Sequence, residues 1–444
     1  MKETSAFAFI AILCLTLFSV FAPKVIAQQS SGDWPMFRGD PSHTGAGTGS
    51  PVLSPMLLWN YNTGGEVYSS AAVVDGVVYV GSLDGNIYAL KATNGEKLWN
   101  YTTDGQVYSC PAVADGIVYV GSADGKVYAL NATSGYKIWS FTTASQVDSS
   151  PVVVNGVVYI GSYDDNVYAL NATDGAKLWT YSTSDPIWSS PAVAKGVVFI
   201  GSTDGNVYAF NALSGVKLWN YTNGYPIESS PTVIGGLVYV GFENGRVSAL
   251  DATDGAKVWT YAAGNVVKSS PAVVGGVVYI GSLDHNIYAL NATNGMKLWN
   301  YTTGGTVYSS PAVVGGVVYV GSEDGNIYAL NATNGAKLWN YGTSGYVESS
   351  PALVGGVAYI GSLDDKMYAL TSPKTSSNML FFITLAFAVV VVVVSAVAVL
   401  IFKKRLKRHE GSNLNFVIGC EANLTRSKIW RSRLKEAHIQ RNNK

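Results

Sequence analysis

Eight side chains occupy one position of a 40-residue spacing and change chemistry from copy to copy: Tyr68, Tyr108, Asp148, Trp188, Glu228, Lys268, Tyr308 and Glu348. The residue before each is always Val or Ile, from Val67 to Val347, as a buried contact requires. Four charges left unpaired in an interior would cost several kcal/mol each, so the variable set is expected at a mouth or surface reached by water. Its chemistry is recognition: aromatic rings anchor a partner, and acids with one lysine select charge. A turn further along each copy varies too, with Asp165, Glu243, His285, Glu323 and Asp365 at or beside it. Both sets are expected on one face, as a binding surface for a sugar, a peptide or a partner protein.

Other chemistries are poorly supplied. His43 and His285 are too isolated to build a metal site. Turns of the type Asp84-Gly85-Asn86 place single carboxylates one repeat apart, which does not gather the roughly six to eight oxygens calcium takes; turn formation accounts for them. Of three cysteines, Cys14 and Cys420 fall in the terminal segments, leaving Cys110 at a position that is Ser in most other copies. A disulfide framework is therefore excluded, and Cys110 reads as a small buried residue. No catalytic constellation is visible.

The elements that position these residues come from the repeat. Trp59, Trp99, Trp139, Trp179, Trp219, Trp259, Trp299 and Trp339 are 40 residues apart, as are the glycines from Gly81 to Gly361. One unit, 307–343, reads VYSSPAVVGGVVYVGSEDGNIYALNATNGAKLWNYGT. Four runs rich in Val, Ile, Tyr and Trp, 307–314, 317–322, 326–331 and 337–343, are predicted strands. Gly315-Gly316, Asp324-Gly325 and Asn334-Gly335 between them suit tight hairpins. Four antiparallel strands per repeat of about 40 residues make the blade of a β-propeller. The first Trp strand, 57–63, has no three strands before it, and the last repeat, ending at Leu370, lacks its Trp strand. The N-terminal strand is therefore expected to complete the last of eight blades across 57–371, which leaves no exposed end blade. Pro111, Pro151, Pro191, Pro231, Pro271, Pro311 and Pro351 fall in each first run, which marks it as the edge strand facing the central channel.

The stretch Ala89-Leu90-Lys91-Ala92-Thr93-Asn94-Gly95-Glu96-Lys97-Leu98-Trp99 and its counterparts resemble the tryptophan-docking motif of quinoprotein dehydrogenases, with Asn131, Asn171 and Asn331 where the family favours Asp and Asp251 as the exception. Asp33-Trp34-Pro35-Met36-Phe37-Arg38-Gly39-Asp40 resembles the leader of PQQ-like repeat proteins. Together the resemblance covers 33–371 and implies an all-β, eight-bladed propeller. It also implies two functional branches. One is an alcohol dehydrogenase using pyrroloquinoline quinone and calcium, and the chain lacks the adjacent cysteine pair and long insertions typical of it. The other, BamB-like, is a scaffold without cofactor, and this sequence looks closer to that branch.

The ends of the chain suggest where the propeller works. Lys2, an apolar run over 6–22 and the small residues before Gln28 read as a signal peptide, 1–27, followed by a leader, 28–56. After a linker, 372–378, the stretch 379–402 holds 24 residues without a charge, enough to span a bilayer, and Lys403, Lys404, Arg405, Lys407 and Arg408 follow at once. Residues 28–378 carry 15 Lys+Arg against 25 Asp+Glu, whereas 403–444 carry 12 against 3. An acidic propeller outside and a basic tail inside are the expected arrangement of a single-pass membrane protein. Ile429, Trp430, Leu434 and Ala437 recur at helical spacing among the basic residues, favouring the anionic inner leaflet over nucleic acid as partner. Asn100, Asn131, Asn171, Asn220, Asn291, Asn300 and Asn331 open glycosylation sequons at strand ends or on the outer strand, away from the variable face.

Overall fold

The computed structural model describes residues 32–373, 395–396 and 398–400. The described strands form eight four-stranded antiparallel sheets. The first complete blade comprises β2 (Ala72–Val74), β3 (Val77–Gly81), β4 (Asn86–Lys91) and β5 (Lys97–Thr102), paired in that order. Asp75 and Gly76 both take positive φ, 50° and 74°, which gives the β2–β3 hairpin the hand that matches strand twist. The eighth blade is closed as expected: β1 (Met56–Asn62) runs antiparallel to Lys366–Thr371, with Met56 opposite Thr371 and Asn62 opposite Lys366. Among the described residues no helix is long and apolar enough to cross a membrane. The expected signal peptide, basic tail and nearly all of the apolar run 379–402 lie outside them.

One expectation is corrected. The run 307–314 is not a single strand: only Ala312–Val314 pairs, and Pro311 sits just before it, as the other six prolines do before their strands. The preceding residues instead cross between blades, where Val307 is buried against its neighbour.

A three-part joint links each blade to the next. First, the Trp99 indole lies on the turn of the next blade, where a Cβ on Gly135 would come within 2.7 Å of its ring. Its Nε1–H donates to Ala132 O at 2.9 Å, and Tyr79 OH of the same blade donates to that oxygen at 3.2 Å. All eight Trp residues dock this way, onto Ala92, Ala132, Ala172, Ala212, Ala252, Ala292, Ala332 and, for Trp339, Val52. Second, Gly81 ends β3 against Val107 of the following crossing; a Cβ there would overlap Val107 Cγ1, which explains the invariant glycine. Third, serines 40 residues apart bond across blades, as Ser109 Oγ does to Ser149 O at 3.0 Å.

The leader runs along the inner strands of successive blades, bonding to the same repeat position in six of them. Trp34 and Val73 exchange two backbone bonds of 2.8 Å. The N–H groups of Val113, Val193, Val233, Val273 and Val313 then donate to Pro35, Pro41, Ser42, Thr44 and Gly45. The inner strand edges, otherwise left with orphan donors, are thus paired with the chain's own leader. Thr232, where most repeats have Ala, donates to His43 O at 3.0 Å and Pro271 O at 2.6 Å, so the leader also accounts for a departure from the repeat. Arg38, 1% exposed, donates to the carbonyls of Pro311 and Pro271. Burial lowers its pKa to about 9, with Asp40 opposing. His43 bonds Pro231 O at 3.2 Å and is held neutral, its pKa lowered to about 3 by burial and then by Arg38. Further out, Val52 supplies the carbonyl for Trp339 and bonds Tyr319 OH, filling the one joint for which the repeats have no turn left.

Two outcomes follow. Gly161→Ala drives a methyl into Ile187 and is expected to lower stability by about 1–3 kcal/mol with no change in denaturant m-value, read by urea unfolding. His43 titrates near 6.5 when unfolded but near 3 when folded, so the stability it confers is complete above pH 6.5 and is lost as pH falls toward 3. His43→Asn is expected to melt lower than the parent at pH 7 but to lose less between pH 6.5 and 4; parallel declines in circular-dichroism melts would contradict the assignment.

Candidate functional site

The variable residues stand where the chain crosses from the outer strand of one blade to the inner strand of the next. Each crossing is pinned at both ends. In the first, Thr103 Oγ1 donates to Gly85 O and Gly105 O, and Asp104 N–H donates to Asp124 Oδ2 of the following hairpin at 3.2 Å. Val107 is then fully buried, which turns Tyr108 to the mouth and Ser109 back inward. The hairpin aspartates are consumed by this task. Asp84, for example, accepts from Asn86 N and Tyr88 OH, as the turn reading expects.

Beneath the variable ring runs a belt of hydroxyls. Backbone N–H groups of Cys110, Ser150, Ser190, Ser230, Ser270, Ser310 and Ser350 each donate to the serine hydroxyl 40 positions on, or from Ser350 round to Ser70, at 2.9–3.0 Å. The thiol of Cys110 takes the eighth place. It donates weakly to Pro111 O, and burial raises its pKa, which keeps it an unreactive thiol.

The mouth forms an open cavity of about 190 Å³, lined by Phe37 of the leader and by Tyr68, Tyr108, Trp188, Glu228, Lys268 and Glu348 above the belt. Seven ring residues are half-buried, and Trp188 is 44% exposed. Trp188 stacks on Tyr163 at 4.8 Å and 18°, and Tyr68 packs against Tyr108 at 5.5 Å. Lys268 Nζ lies 2.8 Å from Glu228, 3.4 Å from Glu243 and 5.9 Å from the Trp188 ring centroid. Burial draws that ammonium's pKa down, but its two carboxylates hold it above the ordinary value. Burial raises Glu228, against the pull of Lys268. Asp148 is raised by burial, with a bond from Tyr163 opposing. Glu348 is raised to about 7, by burial first and then by Glu323 and Glu66.

The structure divides the turn residues named with this ring. Glu243 and Glu323 face it, whereas Asp165, His285 and Asp365 take the left-handed position (φ 67°, 72° and 66°) that is Gly in the other hairpins. They are set by turn geometry, and none of the five hairpin residues lines the cavity itself. Two residues of the mouth were missed. Tyr163, stacked on Trp188, shares its repeat position with Glu243 and Glu323, a signal available by aligning copies; Phe37, which lines the cavity, lies outside the repeat and gave none. The sequon residues Asn100, Asn220 and Asn300 lie on outer strands, and Asn131, Asn171, Asn291 and Asn331 end third strands. On the opposite face, an apolar groove of about 850 Å³ runs along Val154, Val193, Val197, Leu218 and Ile234.

Two family models match successive parts of the chain. Residues 42–236 match the β-propeller of the beta-alanine-activating enzyme, and 243–377 match the outer membrane protein assembly factor BamB. Similar solved structures include BamB from Moraxella catarrhalis, at 20% identity and TM-score 0.64 over 72% of this chain and 100% of that one. Quinohemoprotein alcohol dehydrogenase from Comamonas testosteroni is similar at 17% identity and TM-score 0.65, over 78% and 82%. The computationally designed Ika8 protein matches at 17% and 0.65, over 71% and 99%. No curated protein sequence matches the chain. The family-model match over 243–377 and the likeness to BamB and a quinohemoprotein dehydrogenase support a PQQ-like β-propeller.

The acid cluster has a measurable signature. Glu348 binds its proton more tightly folded than unfolded, so ionising it costs stability as pH rises from 4.5 through 7. Glu348→Gln is expected to melt like the parent at pH 4.5 and above it at pH 8. A variant that melts lower at pH 8 would mean that the carboxylate is stabilised by a partner.

Proposed function

We propose that the chain is a membrane-anchored cell-surface propeller that binds a protein or glycan ligand at its channel mouth and holds it without catalysis. The observation that carries this reading is the ring itself. Joint residues repeat because packing fixes them, while Trp188, Tyr68, Tyr108 and the acids beside them are left open, half-buried, around one cavity. Stacked aromatic rings beside hydrogen-bonding groups are the usual composition of a recognition hot spot. The charge division along the sequence, and the uncharged run before five basic residues, support anchoring with the propeller outside and the basic tail on the cytoplasmic side.

A quinone dehydrogenase suits this mouth less well. Pyrroloquinoline quinone is a tricarboxylate, and it would meet Glu66, Glu228, Glu323 and Glu348 with Lys268 already held by two carboxylates. The leader along the inner strands also leaves Phe37 where a deep cofactor cleft would have to open.

The test is to probe arrays of glycans and peptides with the full chain and with a Trp188→Ala, Tyr68→Ala double variant. A ligand retained by the parent and lost at least tenfold by the variant is expected, in keeping with about 2 kcal/mol for an aromatic hot spot. Ligands held equally by both proteins would overturn the mouth as the site. Saturable binding of pyrroloquinoline quinone with calcium, near one equivalent by calorimetry, would favour the dehydrogenase.

A further inference from the structure

Two acidic pairs face the mouth, and one of them holds an ammonium. Glu228 and Glu243 share Lys268, whose Nζ also lies over Trp188. Two repeats on, 80 residues later, the corresponding positions are Tyr308, Glu323 and Glu348. The hairpin acid is kept, but the place of the lysine is taken by a second carboxylate. Glu348 and Glu323 lie within hydrogen-bonding reach of each other, with Glu66 adding negative charge and Tyr68 and Tyr308 in the same field. Thr306 Oγ1 donates to Glu323. The cation acting on Glu348 is Lys268, and it is already bound by the other pair.

One acid of each pair, Glu228 and Glu348, lines the open cavity of the mouth. Its 190 Å³ corresponds to about six waters, room for one long side chain rather than a folded surface. Its walls combine the carboxylates of Glu228 and Glu348 with the rings of Tyr68, Tyr108 and Trp188, and aromatic faces attract cations as carboxylates do. The same mouth therefore already contains, in Lys268, an ammonium held as the second pair would hold one.

We propose that this cavity receives a primary ammonium group on an alkyl stem, which completes at Glu348 and Glu323 the arrangement Lys268 makes at Glu228 and Glu243. The inference rests on the reading of the mouth as a binding face and narrows its ligand. The ammonium belongs either to a lysine side chain of a partner polypeptide or to a free alkylamine.

The experiment is calorimetric titration of the full chain at pH 8 and low salt with N-acetyl-lysine methylamide, with putrescine, and with N-acetyl-norleucine methylamide, which keeps a stem and lacks the charge. Saturable binding of an ammonium probe is expected, with none of the norleucine probe. A Glu323→Gln, Glu348→Gln variant is expected to bind at least tenfold more weakly while melting no lower than the parent at pH 8, which separates lost recognition from lost fold. Tighter binding of the lysine probe assigns the group to a polypeptide, and tighter binding of putrescine assigns it to a free amine. No saturation by either, equal binding of norleucine, or an unaffected double variant would overturn the inference. A glycan that binds through Trp188 and ignores the double variant would remove the ammonium while leaving the mouth as the binding face.

Discussion

The whole molecule depends on one carbonyl per blade. Ala132 O accepts both Trp99 Nε1–H and Tyr79 OH from the preceding blade. The same two-donor joint recurs at every blade but one, where Phe199 replaces the tyrosine and Ala252 O accepts Trp219 alone. A blade standing alone would leave an indole N–H and a tyrosine hydroxyl without partners next to an apolar face, which costs more than the bonds return. Each blade therefore needs a neighbour on both sides, and a closed circle is the arrangement that gives every blade two. The eighth joint has no repeat turn left to accept Trp339, and Val52 of the leader provides it. Closure thus comes from the chain's N-terminal end twice over, through β1 in the last sheet and Val52 in the last joint.

This joint also decides where variation is tolerated. A side chain at Gly81 would push blades apart, and the facing position of Val107 is held to Val or Ile around the ring. One residue beyond Val107, at Tyr108, the constraint ends and chemistry is free. Because the leader pairs with the inner strands, the mouth is a shallow basin with a floor at Phe37 and not the entrance of a passage. Charge is then distributed unevenly around the basin. Asp148 is beside Tyr163, Glu228 beside Lys268, and Glu348 beside another acid.

Much of this was legible in the sequence. The 40-residue period, the turn dipeptides and the unmatched Trp strand gave blade number, strand order and closure, since each reports a local requirement repeated eight times. The ring residues were visible for the complementary reason: they vary where the fold is silent. What could not be read lies where the repeat stops. The leader contains no periodicity, so its route along the channel, the buried Arg38 and His43, and the role of Val52 follow from pairing with residues up to 287 positions distant. The extent of the inner strand was misjudged because Val307 and Val313 look alike in sequence; one packs against a neighbouring blade and the other pairs in a sheet. Likewise Asp165 and Glu243 are both acidic variants near one hairpin, but they hold different repeat positions, and the position of Asp165 is the left-handed turn residue while that of Glu243 reaches the mouth.

The central claim is that the leader seals the channel and so confines recognition to the mouth. Amide hydrogen exchange at Val73, Val113, Val193, Val233, Val273 and Val313 tests it directly, because each donates to a leader carbonyl. With the leader seated as described, these amides exchange only through global opening, as slowly as those at the centres of the blades. Fast exchange at those six positions, with the middle strands still protected, would mean an open channel and a mouth without a floor.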